Sequence, residues 1–153
     1  MIASVCCGFV WNVEAADAPE AVAKRYLKAR FDKDVETAMA LTAEFPKVSK
    51  EKLKEKYAQP DDALVAALRP KTAPEVRNAK VDGDLAVVVC LEKPTDPDPV
   101  YMIQQEGSWR VLPEITIFNR TEYGFSADQL ARFQELEKWY KEQKSAIRSK
   151  AKP

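Results

Sequence analysis

The apolar run from Leu85 to Leu91 limits the possible folds of this chain more than any other segment. Asp82-Gly83 precedes the run and follows apolar Val81, which is the pattern of a tight hairpin turn that needs positive φ. Val76 to Val81 and Leu85 to Glu92 are therefore predicted to be antiparallel neighbours. Because the second strand is apolar on both faces, we expect it to be central in its sheet and covered by helices on at least one side.

Two further strands are predicted after this hairpin. Lys93 to Pro99 holds three prolines and two aspartates, a composition that predicts a loop. Val100 to Gln105 and Ser108 to Ile117 then form a second hairpin, which turns at Glu106-Gly107. Pro113 interrupts the last strand and indicates a bulge or an edge position.

The residues before Pro74 follow the helical period instead of the strand period. Asp34 is expected to cap the second helix, and Pro46 ends it. The predicted helices run over 19–31, over 34–44, from Ser49 to Gln59, and from Asp61 or Asp62 through Leu68.

A long amphipathic helix is predicted from Ser126 to Ser149, and Ser126 with Gln129 forms a capping-box pattern. Docking on the chain's own sheet is favoured over pairing with the same helix of a second subunit, because too few heptads are present for a coiled coil. A homodimer through this helix is the alternative. The apolar stripe that needs a surface to cover consists of Leu130, Phe133, Leu136, Trp139, Tyr140 and Ile147.

Residues 1–18 have the pattern of a secretory leader. Ile2 to Val13 is almost wholly apolar, and small residues follow it, as in the apolar core and cleavage region of a signal peptide. Cleavage between Ala15 and Pro19 is expected, which predicts an exported protein, periplasmic or extracellular. The first positive charge is Lys24, so the basic head of a signal peptide is missing. A start codon assigned too far downstream explains this, and a buried N-terminal strand is the alternative.

Charge and histidine content exclude several classes of chemistry. Lys+Arg and Asp+Glu both number 24, so no global field attracts nucleic acid or an anionic membrane. The chain has no histidine, which removes Ser-His-Asp and Cys-His catalysis and histidine-bound zinc. The apolar run of the leader is shorter than the ~20 residues that a helix needs to cross a bilayer. No cofactor, metal site, nucleic-acid partner or integral membrane span is predicted.

Cys90 is the one cysteine that remains after cleavage, because Cys6 and Cys7 lie in the leader. It falls within the apolar strand, where an unactivated thiol behaves as a small hydrophobic side chain. A structural role is therefore favoured over a catalytic one.

Several segments between Pro19 and Phe118 match the motifs of a known fold. Ala21 to Ala29 and Asp32 to Leu41 resemble the opening helices of the nuclear transport factor two-like superfamily, whose fold is a cystatin-like cone. Ala79 to Val89 resembles its strands, and Glu106 to Val111 stands in the place of its Gly-x-Trp-x-Val ending. Within the superfamily the chain looks most like the small exported lumazine-binding-like members of unassigned function.

The resemblance implies an α+β fold, with N-terminal helices packed on a curved, cone-shaped antiparallel sheet of about four strands. The expected organisation is a signal-peptide-like leader over 1–18, the cone-shaped domain over 19–118, and an appended C-terminal helix with a basic tail over 119–153.

A pocket at the open end of the cone is also implied. Trp109 is expected to pack against the first helix more than to contact a ligand. Glu114, flanked by apolar residues, is the candidate for a catalytic carboxylate of raised pKa. The candidate lining consists of amphipathic aromatic residues and an isolated charge, namely Tyr26, Arg30, Tyr57, Tyr101 and Trp109.

Many enzymes of the superfamily use a His-Asp pair, which this chain cannot supply. The leading hypothesis is therefore an exported, non-enzymatic domain that binds a small apolar ligand or a protein partner. One alternative is a histidine-independent isomerase or dehydratase that uses Glu114 and a pocket tyrosine. Another is a dimeric structural or scaffold module.

Overall fold

A computed structural model describes residues 17–60, 67, 71–93 and 96–150. The leader and residues 151–153 lie outside the described residues, as does the predicted helix through Leu68 apart from Ala67, which is helical. In chain order the elements are α1 (Pro19–Asp32), α2 (Val35–Ala40), α3 (Lys50–Ala58), β1 (Glu75–Asp82), β2 (Leu85–Lys93), β3 (Asp96–Gln105), β4 (Ser108–Val111), α4 (Glu114–Phe118), a 3₁₀ turn (Arg120–Tyr123) and α5 (Ala127–Lys150).

The four strands form one antiparallel sheet in the order β1-β2-β3-β4. The first hairpin turns at Gly83-Asp84, where Gly83 has a φ of 61°, and the second turns at Glu106-Gly107, where both φ angles are positive, at 52° and 77°. Positive φ gives hairpin turns a twist that matches the twist of the strands. Both predicted hairpins and the predicted α+β class are confirmed.

Strand β2 is buried on both faces, and a different helix covers each face. Ala86, Val88 and Cys90 pack with Val22 and Ala23 of α1. Leu85, Val87 and Val89 form the opposite layer with three side chains of α5, which are Phe133, Leu136 and Tyr140. The sheet therefore lies between the first and the last helix, so β2 has no polar face.

Cys90 belongs to the layer under α1 and is buried. Burial raises the pKa of its thiol to about 12, and the charges of Asp98 and Glu92 act in the same direction. The thiol is therefore neutral at physiological pH, as a structural cysteine should be.

The predicted loop from Lys93 to Pro99 is wrong for its second half, because β3 begins at Asp96. Backbone groups along β3 point alternately to its two sides. The amide of Gln104 donates to the carbonyl of Asp84 on the side of β2. The carbonyl of Tyr101 accepts from the amide of Leu112 on the opposite side. By this alternation Pro97 and Pro99 turn their nitrogens away from β2. Proline lacks an N–H, so it is tolerated at strand positions that face a free edge.

The predicted last strand is wrong beyond Val111, where β4 ends. Pro113 is not a bulge but the residue before α4, with extended φ and ψ of −58° and 138°. A residue without an N–H cannot continue the ladder and suits the start of a helix. The chain therefore leaves the sheet at Leu112, and the first half of β3 lacks a β4 neighbour.

The outer edge of β4 is covered by the segment that follows α2. The amide of Val111 donates to the carbonyl of Leu41, and the amide of Ala43 donates to the carbonyl of Val111, both at 2.8 Å. This pairing protects an edge that would otherwise be open. It also fixes Thr42, which lies between the two bonded residues.

Helix α5 docks on the chain's own sheet, as the sequence favoured. Its N-terminus is the predicted capping box, in which Ser126 and Gln129 bond each other's backbone amides at 3.1 and 3.0 Å. The Tyr140 hydroxyl donates to the carbonyl of Pro97 at 2.5 Å. None of the helices among the described residues has the length and hydropathy needed to cross a bilayer.

Ion pairs hold α5 near both ends of β2. Arg132 donates to Asp84 at 2.6 Å, and Arg148 donates to Asp96 at 2.9 Å. Burial alone would raise the pKa of Asp84, but hydrogen bonds from Arg132 and Gln129 outweigh it and hold the pKa below its usual value. The acidic β1-β2 turn and the acidic start of β3 thus meet basic side chains of the same chain.

Leu136→Ala tests the docking of α5. Leu136 is fully buried, so we expect its truncation to cost about 2–5 kcal/mol of unfolding free energy. Lys138→Ala, at an exposed position of the same helix, should change stability by less than about 0.5 kcal/mol. Urea denaturation at two protein concentrations measures both values. Equal small effects, or a concentration-dependent midpoint, would contradict docking in cis.

Candidate functional site

A cavity of about 320 Å³ opens where β4 has ended and the outer edge of β3 has no strand beside it among the described residues. We call it the β3-edge cavity. Helices α1 and α3 form one wall, the start of β3 a second, and the chain from the end of β4 into α4 a third. Its lining residues are Tyr26, Arg30, Leu53, Lys56, Tyr57, Pro99, Val100, Tyr101, Val111, Leu112, Glu114 and Ile117.

A chain of hydroxyl groups runs behind the helical wall of this cavity. The hydroxyls of Tyr26 and Tyr57 lie 3.1 Å apart, and those of Tyr57 and Thr42 lie 3.3 Å apart. Arg30 donates to the Tyr26 hydroxyl at 3.3 Å, and Thr42 donates to the Ala38 carbonyl at 2.8 Å. We call Tyr26, Tyr57 and Thr42 the hydroxyl chain.

The hydroxyl chain has one consistent direction of donation. The Thr42 proton goes to the Ala38 carbonyl, so in the contact between Tyr57 and Thr42 the tyrosine must donate. Tyr26 in turn donates to Tyr57, and Arg30 to Tyr26. A hydroxyl has a single proton to donate. All three protons are therefore used inside the wall, and none is directed at a molecule in the cavity.

Burial raises the pKa of the Tyr26 hydroxyl well above its usual value. The neighbouring Tyr57 raises it further, and Arg30 offsets only part of the effect. Tyr26 is therefore a neutral phenol over the physiological pH range. The ring of Tyr57, itself buried, meets that of Tyr26 edge-on at 6.2 Å, so both rings have fixed positions.

Arg30 is the half-buried cation of the cavity wall. Its guanidinium carbon lies 3.9 Å from the ring centre of Tyr57. No carboxylate among the described residues pairs with it. Lys56 and Glu114 form an exposed ion pair at 2.6 Å on the same lining. The lining therefore carries one cation whose charge no neighbouring anion balances.

The structure brings together four of the five residues that the sequence suggested as pocket lining, which are Tyr26, Arg30, Tyr57 and Tyr101. The Tyr101 ring also packs edge-on against Phe133 under α5, and burial raises the pKa of its hydroxyl to about 12. Trp109 does not line the cavity. It is buried with Val22 in the layer under α1, as the resemblance implied for packing.

Glu114 lies on the lining but is not buried. Its side chain is 70% exposed and paired with Lys56. The apolar residues around it suggested a buried strand, whereas Pro113 starts a helix whose first residue, Glu114, faces solvent. A proton-transferring role for Glu114 has no support from this geometry.

Thr42 and Lys56 belong to the site but were not among the candidates. Thr42 is 4% exposed, and its place between apolar Leu41 and Ala43 is a signal that a polar group there needs a buried partner. Nothing in the sequence around Lys56 distinguishes it from the other lysines of α3.

Comparisons with known proteins give a likeness in fold. An NTF2-like transpeptidase from Campylobacter jejuni has a TM-score of 0.49 and 15% identity, over 64% of this chain and 100% of that chain. An uncharacterized cystatin fold protein from Novosphingobium aromaticivorans has a TM-score of 0.38 and 16% identity, over 63% and 97%. Likenesses at these identities say nothing about function. No family model matches the chain, and no curated protein matches it.

Tyr57→Phe tests the hydroxyl chain. The change deprives Tyr26 of its acceptor and Thr42 of its donor in a buried place, so we expect a loss of about 1–3 kcal/mol in unfolding free energy. Tyr123→Phe is the matched control, because the Tyr123 ring contacts Phe45 and its hydroxyl has no hydrogen bond among the described residues. Denaturant unfolding compares the two. Indistinguishable stabilities would show that the hydroxyl chain is not formed.

Proposed function

We propose that this chain is an exported, non-enzymatic domain that binds a small, mainly apolar ligand in the β3-edge cavity. The observation that carries the proposal is the composition of the cavity wall. Apolar and aromatic side chains form most of it, and Arg30, Lys56 and Glu114 are its charged members. Ligand sites commonly have this composition.

The size of the cavity supports a small ligand. Its volume of about 320 Å³ lies at the lower end of the roughly 300–1,000 Å³ that ligand pockets span. A molecule with one aromatic ring or a medium-length alkyl chain fits this space. The outer edge of β3 at its start keeps the cavity accessible, because β4 does not pair with β3 there.

A larger cavity of about 470 Å³ lies beside Glu44, Gln105 and Arg110. The side-chain amide of Gln105 already accepts from the backbone N–H of Glu44 and donates to its carbonyl, both at 2.9 Å. Charged and amide side chains there offer little apolar surface for a ligand. The smaller β3-edge cavity is therefore the better candidate.

Binding is favoured over catalysis by the state of the polar groups. The hydroxyl groups of the chain donate their protons to one another and to the wall. Glu114 is exposed and paired with Lys56. Proton transfer needs a group of suitable pKa within reach of the substrate. The raised pKa values of Tyr26 and Tyr101 make both poor bases at neutral pH.

Titration with 4-phenyl-1-butanol, an uncharged probe with one ring, tests the proposal. We expect amide shifts in two-dimensional NMR that map to α1, α3 and the start of β3. Val100→Phe should weaken binding at least tenfold, because Val100 lines the cavity and the larger side chain fills the space. Val81→Phe is the matched control, since Val81 is exposed on the edge strand β1.

Absence of binding, or shifts confined to the region of Glu44 and Arg110, would contradict the proposed site. Equal binding by both phenylalanine variants would contradict it as well. The melting temperature of each variant separates loss of the cavity from loss of the fold.

Export is tested by N-terminal sequencing of protein recovered from the periplasm or the medium. We expect the first residue to lie between Ala16 and Pro19, because small residues follow the apolar segment there. Recovery of protein with Met1 intact would contradict cleavage.

A further inference from the structure

We infer that the ligand of the β3-edge cavity carries a single carboxylate, which pairs with Arg30. This inference rests on the proposed function, since it names the class of molecule that the same cavity takes. The ligand would be an amphipathic monocarboxylate, with an apolar body against the strand wall and its charged end at the helical wall.

The first argument is the hydrogen-bonding capacity that Arg30 retains. A guanidinium has five N–H donors, and among the described residues one contact accepts from it, the Tyr26 hydroxyl at 3.3 Å. The Tyr57 ring lies against the face of the guanidinium, so the ring leaves the planar edge free. A planar edge with several donors matches the two oxygens of a carboxylate.

The second argument is charge balance on the lining. Lys56 and Glu114 neutralise each other at 2.6 Å, which leaves Arg30 as the uncompensated charge among the described lining residues. A partly buried charge is costly unless it is paired. A monoanion supplies one balancing charge, whereas a dianion such as a phosphate monoester would bring an excess negative charge beside Glu114.

The third argument is that the hydroxyl chain cannot take the place of Arg30. Tyr26 donates to Tyr57, and Tyr57 donates to Thr42. Neither tyrosine can donate to a ligand without leaving a buried acceptor unpaired, which is unfavourable. A ligand would therefore find no free donor in the hydroxyl chain, whereas a carboxylate would gain charge-assisted hydrogen bonds from Arg30.

The hydroxyl chain also fixes the cation. The Tyr26 hydroxyl accepts a hydrogen bond from Arg30, and the Tyr57 ring packs against the face of the guanidinium. These two contacts hold the guanidinium in place before a ligand binds. Less side-chain freedom is then lost on binding. Tyr26 and Tyr57 are positioning residues, while Arg30 is the residue that would contact the ligand.

The test compares two probes with the same apolar body, 4-phenylbutanoate and 4-phenyl-1-butanol, by isothermal titration calorimetry or NMR on the full chain. We expect the carboxylate to bind at least tenfold more tightly at neutral pH, and its affinity to fall with added NaCl. Arg30→Met should abolish this preference by weakening carboxylate binding at least tenfold. Arg30→Lys, which keeps the charge but loses the planar fork, should retain part of it.

Lys24→Met is the matched control, because it removes one positive charge from an exposed position of the same helix. It should leave the preference intact. Circular dichroism and the melting temperature establish that each variant is folded.

The outcomes separate this inference from the proposal on which it rests. Equal affinity of the wild-type protein for the two probes would overturn the carboxylate preference while leaving an apolar binding cavity. A preference that survives Arg30→Met would overturn the assignment to Arg30. Binding of neither probe would overturn both proposals.

Discussion

The burial of β2 on both faces is the constraint from which the rest of the fold follows. A strand without a polar face needs a cover on each side, and α1 and α5 supply them from opposite ends of the chain. Each fully buried Val or Leu contributes about 1.5–3 kcal/mol relative to exposure, so neither cover is dispensable. The C-terminal helix, which the fold resemblance treats as an addition, is here the second cover of the central strand.

Charge pairing decides how α5 lies on that strand. The equal numbers of acidic and basic residues conceal a pattern in which acids near the two ends of β2 face arginines near the two ends of α5. Arg132 pairs with Asp84 and Arg148 with Asp96. Pairs as exposed as the second contribute about 0–1 kcal/mol, so their effect is on the direction and register of the helix more than on its stability. Burial of apolar side chains supplies most of the stability of this packing, and the two ion pairs favour one orientation of the helix.

Sequence patterns predicted those features that depend on neighbouring residues. Both hairpins, the caps at Asp34 and Ser126, and the central strand follow from local chemistry. The first turn lies at Gly83-Asp84, one residue beyond the predicted Asp82-Gly83 pair. The two prolines of β3 misled the prediction, because their tolerance depends on a free edge that exists only once β4 has ended. Pro113 was predicted to interrupt a strand that continues to Ile117. Instead the strand ends before Pro113 and a helix begins after it, which leaves Glu114 exposed. Tyr26, Tyr57 and Tyr101 do line the cavity, but no pattern showed that Thr42 bonds to Tyr57.

The site owes its properties to the same connections that hold the helices together. The hydroxyl chain links α1, α3 and the segment after α2, so it orients the cavity wall. Its hydroxyl protons are all donated within that wall. A wall built in this way is rigid and nearly saturated. Its remaining capacity lies in Arg30, which the chain supports but does not neutralise. The stability of the wall therefore limits its chemistry: groups committed to holding helices together are poor acids and bases, and the group left free is a cation suited to an anion. For that reason we propose recognition and not turnover as the role of the cavity.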